Sequence, residues 1–227
     1  MKVGKYVRLI KKKGYGVWIN SNDGEVYLAT GASIYKAPGL PCVSGDSTIK
    51  AVLDIDQKAA EKILLKEEYA SGVSDVIGYD LSDFGAAGES EAKRMKVAAV
   101  IDGAIYSALQ YNGVEIIFYD QELLAPLSDK LNDKDGSAYI SYAVREHKKT
   151  GHPYIVVKDG FQTLAAIMPV AVLSDDYISE LQDFQLMCID QLNRDKARAL
   201  ECARRKAAEE GKQATLDDLK DGESNSE

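Results

Sequence analysis

Histidine, cysteine and tryptophan are scarce in this chain of 227 residues, which has 2 His, 3 Cys and 1 Trp. His147 and His152 stand in Glu146-His147-Lys148-Lys149-Thr150-Gly151-His152-Pro153. A zinc site needs three or four ligands and local neutralisation, whereas the bases beside these histidines are lysines. A solvated hairpin loop is the expectation there, and no metal. Cys42, Cys188 and Cys202 form no C-x-x-C pair, and an odd count excludes a closed disulfide scaffold. Cys188 falls on an apolar stripe and reads as core; Cys42 follows Pro41 near a helix start and is the one thiol in a nucleophile's setting. G-x-S-x-G, H-E-x-x-H and the Walker sequence are all missing, and Gly14-Tyr15-Gly16 lacks the further glycine and helix of a phosphate loop. The expectation is a protein with no cofactor and no catalysis. No apolar run nears the roughly 20 residues that span a bilayer. The opening Met1-Lys2-Val3-Gly4-Lys5-Tyr6-Val7 has no apolar leader, so no membrane contact and a cytoplasmic location are expected. Positive charge is also in the minority: 28 Lys+Arg against 36 Asp+Glu leave a net charge of -8. Such a chain is a poor general glue for nucleic acid.

What the chain does have is an ordinary globular balance, 45% hydrophobic and 28% charged. The pattern reads first as a β-meander: Tyr6–Ile10, Gly14–Ile19, Glu25–Thr30 after the Asp23-Gly24 turn, and Ala32–Tyr35 before Pro38-Gly39-Leu40-Pro41. Helical patterns follow from Ser47 and through Ala59, Ala60, Ile63, Leu64 and Leu65. From Ser71 to Gly88 the composition turns to Gly, Ser and Asp, and Gly85–Ser90 reads as a mobile loop or joint. Met95, Ala98, Ala99, Ile101 and Ile105 recur at three and four residues, which predicts a helix over 91–109. Gly113–Tyr119 is a strand, and Asp120 caps a short helix through Leu131 that ends at Asn132–Gly136. Three more strands are expected at 137–145, 154–158 and 163–173, with Asp159-Gly160 as a second hairpin turn. Ser174-Asp175-Asp176 then caps a helix striped by Tyr177, Leu181, Phe184, Cys188 and Leu192. Asn193–Glu210 is helical and polar, and 211–227 reads as a disordered acidic tail. The fold class is α+β: an antiparallel β-rich body with packed helices, a long C-terminal helix and that tail.

The bases are segregated. Lys2, Lys5, Arg8, Lys11, Lys12 and Lys13 sit in the first expected hairpin beside Tyr6, Tyr15 and Trp18. Arg194, Lys196, Arg198, Arg204, Arg205 and Lys206 share one helix. In an acidic chain such groups form a local phosphate-binding face, and Lys11, Lys12, Lys13, Arg198, Arg204 and Arg205 are the residues expected to contact nucleic acid. The 13 tyrosines suit half-buried sheets and binding surfaces.

One stretch carries a resemblance. Glu115-Ile116-Ile117-Phe118, then 121–131, Ala138-Tyr139-Ile140-Ser141-Tyr142, Ile155–Gly160 and finally Ala166-Ile167-Met168-Pro169-Val170 follow one another as strand, short helix, strands and a Met-Pro strand. In this order 114–173 resembles the carboxy-terminal domain of bacterial DNA sliding clamps. The N-terminal half resembles small proteins of phages and integrated elements of gut Firmicutes that carry no assigned activity. With this resemblance the chain divides into a β-meander plus helical module at 1–88, a domain at 89–173 that the resemblance makes clamp-like α+β, a helix at 174–210 and the tail at 211–227. It also implies a non-enzymatic accessory of DNA replication or recombination in a phage or mobile element, with a protein partner, DNA and self-association as its contacts. Within this reading Gln213-Ala214-Thr215-Leu216-Asp217-Asp218-Leu219 is similar to the Gln-x-x-Leu peptide of clamp partners. The alternative is a phage-encoded inhibitor whose acidic surface imitates nucleic acid and whose tyrosines anchor on a host nucleic-acid-processing protein.

Overall fold

The computed structural model describes residues 1–131, 139–172 and 175–209, the last as backbone with most of its side chains. The expected stop at Asn132–Gly136, the Ser174 cap, the 211–227 tail and its Gln213–Leu219 motif lie outside the described residues. The chain divides into two compact units, Met1–Val172 and Leu173–Glu227.

The first unit opens on helix α1 (Val3–Lys13), where a strand was expected at Tyr6–Ile10. Tyr6, Val7, Leu9 and Ile10 are buried, a two-sided cluster that fits a helix stripe as well as an apolar strand. What decides is the end: Gly14 adopts φ 70° and its N–H donates to the Ile10 carbonyl, the glycine stop of a helix, with three lysines in the last turn. Strands β1 (Tyr15–Ser21), β2 (Val26–Ala29) and β3 (Ser33–Lys36) then form an antiparallel meander. Short helices α2 (Asp46–Val52) and α3 (Gln57–Ala60) follow, and β4 (Leu64–Ala70) pairs in parallel with β1. Leu64 and Leu65 are thus strand, not the end of a helix.

The helix expected over 91–109 is instead a hairpin of β5 (Ser90–Ile101) and β6 (Ala104–Tyr111). Asp102 and Gly103 turn it with φ 50° and 78°, pairing Ile101 with Ala104. Two consecutive left-handed residues make the tight turn that matches strand twist. The β-branched Val97, Val100, Ile101 and Ile105 favour strand as well. Strand β7 (Glu115–Asp120) leads into a 3-10 helix, Gln121–Leu127, and α4 (Ser128–Leu131). The Asp120 carboxylate accepts from the Glu122 N–H, the cap read from the sequence. Strands β8 (Ile140–Glu146), β9 (Pro153–Asp159) and β10 (Gln162–Ile167) complete the unit.

Among the described residues the ten strands belong to one sheet in the order β4-β1-β2-β3-β10-β9-β8-β5-β6-β7, antiparallel except for β4 with β1. The sheet crosses the 88/89 position without a break. Its middle is palindromic: a helix followed by three strands occurs as α1-β1-β2-β3 and again as α4-β8-β9-β10. The two runs meet where β3 and β10 pair, Ile34 opposite Ala166. Alternate residues feed two cores. Trp18, Leu28, Tyr35, Ile155 and Ile167 join Tyr6, Ile10, Leu123 and Leu127 on the helical side. Ile19, Tyr27, Ile34, Val156 and Ala166 lie on the other side under Val76 and Leu81. A sheet covered on both faces explains why β1, β2 and β9 read as unbroken apolar runs.

The second unit, by itself, shows helix α5 (Asp175–Glu209) of 35 residues.

Candidate nucleic-acid and partner interface

The expected basic group of the first segment lies on α1 rather than on a hairpin, and most of its charges meet carboxylates. Lys11 Nζ donates to Asp56 Oδ2 at 2.8 Å, and Lys12 Nζ to Glu122 Oε2 at 2.7 Å. Lys13 Nζ lies 3.9 Å from Asp120, and Lys2 pairs with Asp129. The hydrogen bond from Lys11, helped by the Ala59 N–H, holds the Asp56 carboxyl below its ordinary value. The Glu122 hydrogen bond and charge likewise raise Lys12. Lys5 and Arg8 differ: among the described residues neither has an ion-pair partner. Arg8 is exposed, Lys5 is partly exposed, and both border a shallow depression with Lys2, Val3 and Gly4. With Lys12 they stand three and four residues apart, on one helix face.

Of the three aromatic neighbours expected at that surface, Tyr15 is half-buried and the other two are not there. Tyr6 and Trp18 are fully buried. The Tyr6 hydroxyl donates to the Ala29 carbonyl at 2.8 Å, and burial pushes its pKa far above the ordinary value. Trp18 Nε1 donates to Asn20 Oδ1 at 2.9 Å. Tyr27, Tyr35, Tyr119 and Tyr154 are equally buried, so much of the tyrosine complement is core rather than contact surface.

The second basic group lies on α5, where, among the described residues, Arg198 and Arg205 pair within their own helix, with Asp195 at 3.9 Å and Glu201 at 3.3 Å. Arg204 is exposed and has no ion pair among the described residues.

His147 packs edge-on against Tyr79 at 4.5 Å between ring centroids, with Nε2 3.3 Å from the Ile77 carbonyl. Cys42 is exposed, its Sγ 3.8 Å from the Glu25 carbonyl. Among the described residues no three His, Cys, Asp or Glu side chains gather as a metal would require.

Two features were missed in the sequence. Phe84 and Phe161, 83% and 72% exposed, stack at 5.7 Å between centroids. The Phe84 N–H donates to the Phe161 carbonyl, and Phe84 holds φ 62°. A phenylalanine inside a Gly-, Ser- and Asp-rich stretch was the available signal. Beside this pair, Asp83 and Gln162 enter the wall of a groove of about 520 Å3 floored by Val26, Ala37, Leu40, Leu127 and Leu164. The other feature is a buried ionic knot. Arg145, 2% exposed, binds Glu89, which also accepts from Lys158 at 2.8 Å. A lone arginine in the apolar run Tyr142-Ala143-Val144 hinted at it, but Glu89 lies too far along the chain to be matched from sequence.

No known protein family, curated protein or solved structure matches the chain.

Proposed function

We propose that this chain is a non-enzymatic accessory protein of DNA replication or recombination, of the kind phages and mobile elements carry. It works through protein contacts and touches duplex DNA with the outer face of α1. The observation that carries the reading is the pair Lys5 and Arg8, two cations on one helix face without carboxylate partners among the described residues. Phosphates supply the missing counter-charge. Lys11, Lys12 and Lys13 flank them and contact DNA by exchanging a carboxylate for a phosphate, which costs them part of the gain. The clamp-like reading is supported by the succession of β7, the 3-10 helix with α4, and β8–β10 along 115–167. The groove lined by Val26, Ala37, Leu40, Leu127 and Leu164 and the nearby exposed Phe84–Phe161 stack are the surface assigned to the protein partner, since clustered exposed apolar area marks interaction sites.

The test is fluorescence anisotropy of a labelled duplex across a salt series. Lys5→Glu with Arg8→Glu should weaken binding and reduce the slope of log affinity against log salt by about 2, near one per lost phosphate contact. Binding of the unaltered protein that ignores salt, or a double variant with an unchanged slope, contradicts the reading.

A further inference from the structure

The distribution of charge along α5 points to a use for it that the DNA reading does not supply. From 175 to 193 its ionic residues are all acidic: Asp175, Asp176, Glu180, Asp183 and Asp190. From 194 to 206 they are mainly basic: Arg194, Lys196, Arg198, Arg204, Arg205 and Lys206, against Asp195 and Glu201. Compensation of the helix dipole accounts for charges in the first and last turns only, whereas this segregation runs over 175–206, about 48 Å of helix at 1.5 Å per residue. Bulk is segregated in the same way. The acidic half carries Phe184, Leu186, Met187, Ile189 and Leu192, all exposed, while 194–206 carries Ala197, Ala199 and Ala203 with Leu200 as its one large apolar residue. These exposed apolar side chains leave the helix with surface for a partner to cover.

We infer that α5 is a self-association helix that pairs antiparallel with α5 of a second copy of this chain. Reversal of one helix lays the acidic half of each copy on the basic half of the other, and the half rich in bulky side chains against the half richer in alanine. Complementary charge sets the orientation and the partner. A parallel pair would place acid on acid and base on base, with bulk opposing bulk. Cys188 and Cys202, both exposed, lie two heptads apart and so on nearly the same face. An antiparallel pair centred near Asp195 sets Cys188 of one copy opposite Cys202 of the other. The same register brings Asp183 and Asp190 within a turn of Arg204 and Arg198 across the pair. Arg198, Arg204 and Arg205 are then protein-contact residues rather than phosphate ligands.

Light scattering on the full chain across a dilution series tests this. The expected mass is that of a dimer. Arg198→Glu, Arg204→Glu and Arg205→Glu together should give a monomer; adding Asp183→Lys and Asp190→Lys should restore the dimer. Circular dichroism establishes that each variant keeps its helix. Orientation is read separately in a Cys42→Ser background under mild oxidation. Chains keeping Cys188 alone should not cross-link with each other, but should cross-link with chains keeping Cys202 alone. A monomer at every concentration, a mass above two chains, a dimer untouched by the arginine reversals, or cross-linking of Cys188-only chains overturns the inference.

Discussion

Arg145 donates from Nε to one oxygen of Glu89 at 2.7 Å, and its Nη2 stands 2.6 Å from that same oxygen as an ion pair. Lys158 takes the other oxygen, and Arg145 completes its fork on the carbonyls of Asp80 and Ser82 at 2.7 and 3.0 Å. One guanidinium therefore fastens both ends of the irregular stretch 80–89 to the sheet. The end of that stretch, 85–89, falls in Gly85–Ser90, the segment expected to be a mobile loop or joint.

Removing Glu89 leaves Arg145 charged and buried, with the more distant Asp80 at 3.7 Å as its counter-ion among the described residues. Breaking one partner of such a pair costs about 3–5 kcal/mol. Glu89→Ala should lower the free energy of urea unfolding by that order. A loss below about 1 kcal/mol would mean that water or a neighbouring acid already serves Arg145.

The same knot gives the fold an acid sensitivity. Burial opposes ionisation of Glu89, but the hydrogen bonds and charges of Lys158 and Arg145 outweigh it and hold the carboxyl below its ordinary 4.5. Asp83 behaves alike: burial opposes, and the Thr163 N–H and Lys36 prevail. A carboxyl whose pKa falls on folding contributes its full stability above the unfolded value and loses it as pH drops through the folded one. Unfolding midpoints should therefore fall with pH below about 4.5, and Glu89→Gln should flatten that fall. Equal slopes for the two proteins would remove Glu89 from the account.

Gly16 is set by contact rather than by conformation. A methyl group there would lie 2.9 Å from the Tyr6 hydroxyl and 3.0 Å from Ile10 Cγ2. Gly16→Ala should destabilise by about 1–3 kcal/mol, the usual cost of overfilling a core. In a Tyr6→Phe background, which removes the crowding oxygen, the added cost should shrink. Strict additivity in this double-mutant cycle would show that Ile10 alone does the excluding.

Lys11→Ala should let the Asp56 carboxyl rise toward its ordinary value, since the Lys11 hydrogen bond is the largest influence holding it down. Titration of the Asp56 side chain by NMR reads this directly. An unmoved titration would show the pair to be open in solution, leaving Lys11 free for phosphate.

The strands of the double-sided sheet were legible because hairpin turns flank them. Asp23-Gly24 and Asp159-Gly160 mark β2 and β9–β10 well. The same dipeptide at Asp102-Gly103 was outweighed by the three- and four-residue recurrence of Met95, Ala98, Ile101 and Ile105. That recurrence is undone physically by a register shift between Arg94 and Ala98, which moves residues from one face to the other within a single strand. At α1 the opposite happened: Tyr6-Val7-Arg8-Leu9-Ile10 is too short for its period to decide, and the informative residue was Gly14 beyond it. The basic groups were found, but their carboxylates at 56, 120 and 122 are remote in sequence, so which cations stay unpaired could only be seen in the fold.

The seam between β3 and β10 has a further consequence for how the protein is made. Ile34 and Ala166 are neighbours separated by 132 residues of chain (166 less 34). At about 5–20 residues per second, the ribosome delivers the second strand on the order of ten seconds after the first. During that interval the hydrogen-bonding edge of β3 is open in the middle of what will be the sheet, and closing it requires a long loop to be ordered. The slowest step of folding should be the joining of the two halves, and the nascent N-terminal half is the form most exposed to pairing with the wrong strand.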